Sequence, residues 1–186
     1  TKEFDNKEEF ELNWVEASAH PIGAVGLWNS MIKIIKMAKE KGDDIIVICE
    51  DDHYFTENYS PKLLFKEVTE AYIQGAEVLS GGIGGFGQAI PAGYHRYKVD
   101  WFWCTQFIVI YNRFFDKMLD YSFQNTDTAD GVISKLATNI MVIYPFISEQ
   151  KDFGYSDVTQ SNMEQQGKIR EHFARANKHM KSISLK

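Results

Sequence analysis

Apolar residues recur along this chain with two alternating periods. Met31, Ile34, Ile35 and Ala38 fall at helical spacing while Lys33, Lys36 and Lys39 take the other side, which predicts an amphipathic helix that stops at Gly42. Ile45 to Cys49 is a run of five apolar residues, mostly β-branched, and reads as a strand buried on both faces. Ser60-Pro61 then offers a capping hydroxyl and a proline suited to a first helical position; Leu64, Val68, Ala71 and Tyr72 give that helix its inner face, and Gly75 ends it. Further strands are expected at 76–80, 105–111 and 139–144, with helices over 113–119 and after Asp130. Upstream, Phe10, Leu12 and Trp14 alternate with polar residues, predicting a strand near 9–17. Helix and strand in alternation predict an α/β domain whose largely parallel sheet is joined by crossover helices.

The chemistry concentrates where the first apolar run stops. Glu50, Asp51, Asp52 and His53 follow it directly, and ligands of open α/β sheets bind beyond the carboxyl ends of strands. Three adjacent acids repel one another and call for a cation. Oxygen donors on a short turn suit Mg²⁺ or Mn²⁺, which keep positions open for phosphate oxygens. A solvated loop with one helix cap accounts for the same residues. His53 is the histidine best placed to join a metal or a phosphate, with His95 and His172 further candidates.

Five glycines occupy the seven positions 81–87. Such a run serves close backbone approach or a mobile lid, and it matches neither the phosphate loop nor the dinucleotide fingerprint. The connection onward to Asp100 is long for a structureless loop.

With 186 residues, 44% of them hydrophobic, the chain suits one core rather than two. Its formal charge of -6 gives no electrostatic footprint for nucleic acid. That charge is uneven: residues 168–186 carry six bases against Glu171 alone, which leaves -11 on the rest. The reading is a domain over 1–167 and a basic, helical tail over 168–186, a solvated helix or one that contacts an anionic membrane surface or a phosphate-bearing substrate. Cys49 and Cys104 fall in strand-like runs as buried free thiols, no signal peptide opens the chain, and no apolar run nears the ~20 residues of a spanning helix. A cytoplasmic protein is expected.

Four blocks, in this order, resemble the family 25 glycosyltransferases of the GT-A fold, the lipooligosaccharide and collagen galactosyltransferase type. They are Ile22-Gly23-Ala24 leading into a helix with Trp28; Ile45 to Asp52; Cys104 to Ile110 with its short helix; and Asp130 opening a helix before Ile143-Tyr144-Pro145 and Ser148-Glu149-Gln150. The family's opening strand has no counterpart, so the chain reads as starting inside or after the first helix, and Leu27-Trp28 stands where the family pattern has Ser-His. The resemblance implies a Rossmann-like GT-A domain that moves a hexose, galactose by the family's habit, from a UDP-sugar to a glycan hydroxyl with inversion, in lipopolysaccharide or cell-surface glycan assembly. It implies Mn²⁺ or Mg²⁺ on Asp52, Glu50 and His53, with Glu50, Asp51, Gly84 and Gly85 around the nucleotide-sugar. Asp130 is the first choice of base and Asp127 the second, although a helix cap explains either acid. Trp101, Trp103 and Gln106 are implied on the substrate side, the tryptophans as a ring platform or as core. Two alternatives stay open: a catalytically silent binding domain of the same fold, and a sugar-phosphate nucleotidyltransferase.

Overall fold

The computed structural model describes residues 2–152 and 167–184. In chain order the elements are α1 (Gly23–Lys41), β1 (Ile45–Cys49), β2 (His53–Phe55), α2 (Pro61–Ile73), β3 (Val78–Ser80), β4 (Ala89–Pro91), β5 (Arg96–Val99), β6 (Phe107–Tyr111), α3 (Asn112–Leu119), α4 (Ala129–Leu136), β7 (Ile140–Ile143), β8 (Ser148–Gln150) and α5 (Lys168–Ser184). Six strands form one sheet in the order β1-β6-β3-β7-β5-β4, and β2 pairs with β8 separately. This is an α/β domain with a mixed sheet flanked by helices.

Local signals set the helices. Gly42, at φ +76, takes the left-handed position that closes α1, and Ser60 Oγ accepts the Leu63 amide at the start of α2 with Pro61 behind it. Strand alternation divides the core into two layers. On β6, Ile108 and Ile110 face α1, α3, α4 and α5, while Phe107, Val109 and Tyr111 face α2; β3 and β7 divide in the same way.

Three expectations are corrected. Among the described residues only β3 and β7 pair in parallel, because β6 inserts antiparallel between β1 and β3. The crossover argument does set β1 and β3 in the same direction, but it does not make them neighbours. β1 is consequently a sheet edge with only Ile48 buried, rather than a strand covered on both faces. No strand forms over 9–17: Leu12 and Trp14 are exposed there, at 45% and 73%. The long connection after the glycine run holds the β4–β5 hairpin.

The basic tail is helical as expected. Its Phe173, Ala176 and Met180 are buried, and Ile169 and Ile183 pack against the core. The apolar face suggested for a membrane therefore serves the fold's own interior. No helix among the described residues is long and apolar enough to cross a membrane.

Candidate functional site

Three elements meet at the tip of β1. The Glu50 amide donates to the Gln106 carbonyl (3.0 Å), extending the β1–β6 ladder by one step, and Thr105 Oγ1 donates to Glu50 Oε1 at 2.6 Å. One residue earlier, the Cys104 amide donates to Asp130 Oδ2 (3.2 Å), and the Gly131 amide donates to Asp130 Oδ1 (2.8 Å). The entry to β6 thus connects the acid tip to the first turn of α4. Cys104 holds a left-handed backbone (φ +78) to do so, a conformation that costs a side-chain-bearing residue about 1 kcal/mol or more.

Electrostatics shows the convergence. Burial, then the charges of Asp52, Asp130 and Asp51, push the Glu50 carboxyl up to about 7 against the pull of the Thr105 hydroxyl. Burial, with Asp51 beside it, also raises Asp52, although Gln150 Nε2 donates to its Oδ2 at 2.5 Å. Asp52 Oδ1 is buried and has no hydrogen-bond partner among the described residues. Asp51 is exposed. Burial and the same carboxylates raise both thiols, Cys49 to about 12, so neither is a ready nucleophile.

The Mn²⁺ or Mg²⁺ expectation is tested by these donors. No group of three His, Cys, Asp or Glu side chains among the described residues is disposed to hold a metal. Glu50, with its raised proton affinity, and the orphaned Oδ1 of Asp52 are two sites that a cation relieves. Two carboxylates completed by phosphate oxygens and water are a common complement for Mg²⁺. The described residues thus offer two carboxylates and no protein-built cage of three or more such ligands.

Four expected residues stand elsewhere. His53 is buried with its Nδ1 on Ser148 Oγ (2.8 Å), ringed by Phe4, Phe55 and Phe107; burial drives it down to about 4. It faces an aromatic cluster and is not grouped with the acids as a ligand. Gln106 is also sealed: its Nε2 donates to the Gly82 carbonyl (3.0 Å) and Ser148 Oγ (3.3 Å), which removes it from any substrate. Asp127 accepts the Gln124 amide (2.8 Å) and the Tyr121 hydroxyl (3.1 Å), so it holds its own turn, while Thr128 caps α4. His95 sets its Nδ1 against the Tyr144 carbonyl at 3.3 Å.

The glycine run serves chain crossing. A β-carbon on Gly82 would lie 1.9 Å from the Ser148 carbonyl oxygen, one on Gly84 2.7 Å from Cys104 Sγ, and one on Gly85 2.7 Å from the Trp103 ring. The Cβ side of Gly84 and of Gly85 is therefore occupied by Cys104 and Trp103 of the protein itself. Trp103 remains 43% exposed. Its ring centroid is 5.1 Å from that of Trp101 and 5.6 Å from that of His172 on α5.

Sequence reasoning brought Glu50, Asp52 and Asp130 together and missed the residues that hold them, Thr105, Gln150 and Cys104. Only the contiguity of Cys104-Thr105-Gln106 with a strand hinted at such a role.

No protein-family model and no curated protein matches the chain. Among solved structures it is similar to an apo UDP-glucose pyrophosphorylase (10% identity, TM-score 0.46, over 83% of this chain and 61% of that one). It is similar also to a UDP-glucose pyrophosphorylase complexed with UDP-glucose (8% identity, TM-score 0.47, 89% and 64%). The chain thus spans less than two thirds of the length of either.

Proposed function

We propose that the protein is a metal-dependent glycosyltransferase that moves a hexose from a UDP-sugar to a glycan hydroxyl. The observation that carries the reading is the convergence of Glu50, Asp52 and Asp130, three carboxylates from two distant parts of the chain, at the tip of β1. Galactose as the sugar and lipopolysaccharide assembly as the setting follow from the resemblance to family 25.

Glu50 and Asp52 would hold the cation, with Thr105 and Gln150 fixing one oxygen of each. When bound, Mn²⁺ or Mg²⁺ offsets the charge that grows on the departing diphosphate. Asp130 serves as base. Its two amide contacts fix the carboxylate and leave lone pairs free, one of which takes the acceptor hydroxyl's proton. The acceptor oxygen bonds to the anomeric carbon, the bond from that carbon to the diphosphate breaks, and UDP leaves with the electron pair, inverting the centre.

The same two amide contacts favour a second reading, a silent binding domain in which Asp130 only latches Cys104. Titrating UDP with and without Mn²⁺, in wild type and Asp52→Ala, tests the proposal. Binding that needs Mn²⁺ and disappears in the variant supports it; wild-type indifference to UDP under both conditions refutes it. Slow hydrolysis of UDP-hexose by wild type but not Asp130→Asn separates catalysis from silent binding.

A further inference from the structure

The first turns of α5 carry a feature of opposite charge to the acid tip. Lys168, Glu171, His172 and Arg175 line a groove of about 460 Å³ along α5. Glu171 offsets one of the two fixed cations, so the groove keeps an excess positive charge on a chain whose net charge is -6. The guanidinium is oriented within it. Burial, then Arg175 and Lys168, lowers the proton affinity of His172, and its neutral Nδ1 accepts from Arg175 Nη2 at 2.8 Å. One of the guanidinium's five N–H donors is so engaged, and Arg175 is otherwise exposed.

The His172 ring also stands edge-on to Trp103 at 83°, and the His172 Cβ lies 3.5 Å from where a Gly84 side chain would begin. A side chain at Gly84 would collide with Cys104 Sγ at 2.7 Å and only touch α5. Trp103 is next in sequence to Cys104, whose amide is latched to Asp130. Trp103, 43% exposed, thus adjoins the groove through His172 and is joined in sequence to the Cys104 latch on the proposed base.

We propose that this groove is the acceptor subsite and that the acceptor is an anionic saccharide. Its pyranose ring lies on Trp103, and its carboxylate or phosphate group is held by Arg175 and Lys168. An aromatic face packs against the C–H face of a sugar without reading its substituents, while a guanidinium binds a planar oxyanion through paired N–H donors. The word acceptor rests on the glycosyltransferase reading; the binding chemistry does not.

The test is titration of the full chain with glucose, glucuronate, glucose 6-phosphate and inorganic phosphate, followed by the tryptophan indole N–H resonances. Glucuronate or glucose 6-phosphate should bind at least about tenfold more tightly than glucose, the equivalent of one charge-assisted hydrogen bond. Whichever of the two binds better assigns the anionic group. Arg175→Gln, at an exposed position, should reduce that preference to the level of glucose, and Trp103→Ala should weaken every sugar while leaving inorganic phosphate unchanged. Equal binding of glucose and the anionic sugars overturns the proposal. So does inorganic phosphate binding as tightly as glucose 6-phosphate, or an Arg175→Gln variant that keeps the preference. Asp52→Ala should leave these titrations unchanged, so loss of UDP binding and loss of saccharide binding are read apart.

Discussion

Replacing Glu50 by glutamine isolates the cost of the acid tip. The Glu50 carboxyl rises from an ordinary 4.5 to about 7. Between those values the folded chain keeps a proton that the unfolded chain has released, so this group's contribution to stability is complete below 4.5 and is lost as pH rises through 7. A rise of that size is worth about 3 kcal/mol, an upper figure because Glu50 keeps a partly solvated edge. Glu50→Gln retains the shape and does not titrate. Relative to wild type, the variant should therefore gain about 2.5 kcal/mol on going from pH 5 to pH 8, roughly 5–10 °C in Tm for a chain of this length. Urea and thermal unfolding at pH 5, 6, 7 and 8 in the presence of a chelator measures this. The difference between the two curves is the diagnostic quantity, because His53 titrates in the same window with the opposite sign and is common to both proteins. Saturating Mn²⁺ should then restore wild type at pH 8 by about 2.7 kcal/mol at a hundredfold excess over Kd, and should restore Glu50→Gln much less. Parallel pH curves for the two proteins would refute the electrostatic account, and equal stabilisation by Mn²⁺ would refute the cation assignment.

Two further substitutions test neighbouring parts of the fold. His53 is held neutral, lowered from 6.5 to about 4, so the stability it confers is present above 6.5 and is lost as pH falls through 4. His53→Phe, a ring suited to the same aromatic cluster, should flatten that acid limb by about 3 kcal/mol in unfolding experiments between pH 4 and pH 7. Gly82→Ala sets a methyl group 1.9 Å from the Ser148 carbonyl oxygen and should cost about 3 kcal/mol or more by urea titration. A loss below about 0.5 kcal/mol, the usual range for a surface position, would mean that the segment yields like a lid.

Much of the fold was legible because its signals are local. Gly42 and the Ser60-Pro61 pair fix helix ends by backbone chemistry that needs no tertiary partner, and the apolar runs at 107–111 and 140–143 are long enough to declare buried strands. Neighbour order is not local. Nothing near Ile45 states that β6 will lie beside it, so β1 reads as a central strand although it is an edge. The same limit explains 9–17, where alternation alone suggested a strand. The 9–17 backbone joins no ladder, and Trp14 projects into solvent. At the site, the acids could be read from their crowding after a strand. The inward turn of His53 could not, because it depends on Ser148, 95 residues away. The glycine run was legible as a need for close approach, but what approaches is the chain itself.

The acid tip is set apart by how the other crowded carboxylates are treated. Glu67 and Glu70 share Arg96 across the α2–β5 interface, and Glu67 and Arg96 are both fully buried. Glu77 receives Lys117 (2.6 Å) along with the Thr138 amide and hydroxyl, and Glu3 receives Lys151 (2.8 Å). Glu3 and Glu77 are both held below the ordinary carboxylate range through these partners. At these three places the chain supplies a cation to its crowded carboxylates. At Glu50, Asp52 and Asp130 the described residues supply hydroxyl, amide and backbone donors but no ion pair, and Glu50 is left with a proton affinity near neutrality. Burial first, and the neighbouring carboxylates after it, together set the charged form of Glu50 about 3 kcal/mol uphill at this strand end, a cost that a positive charge arriving from outside the chain would relieve. In the proposed glycosyltransferase a divalent cation carried with a diphosphate would supply that charge, and the Mn²⁺ arm of the Glu50→Gln experiment measures whether it does.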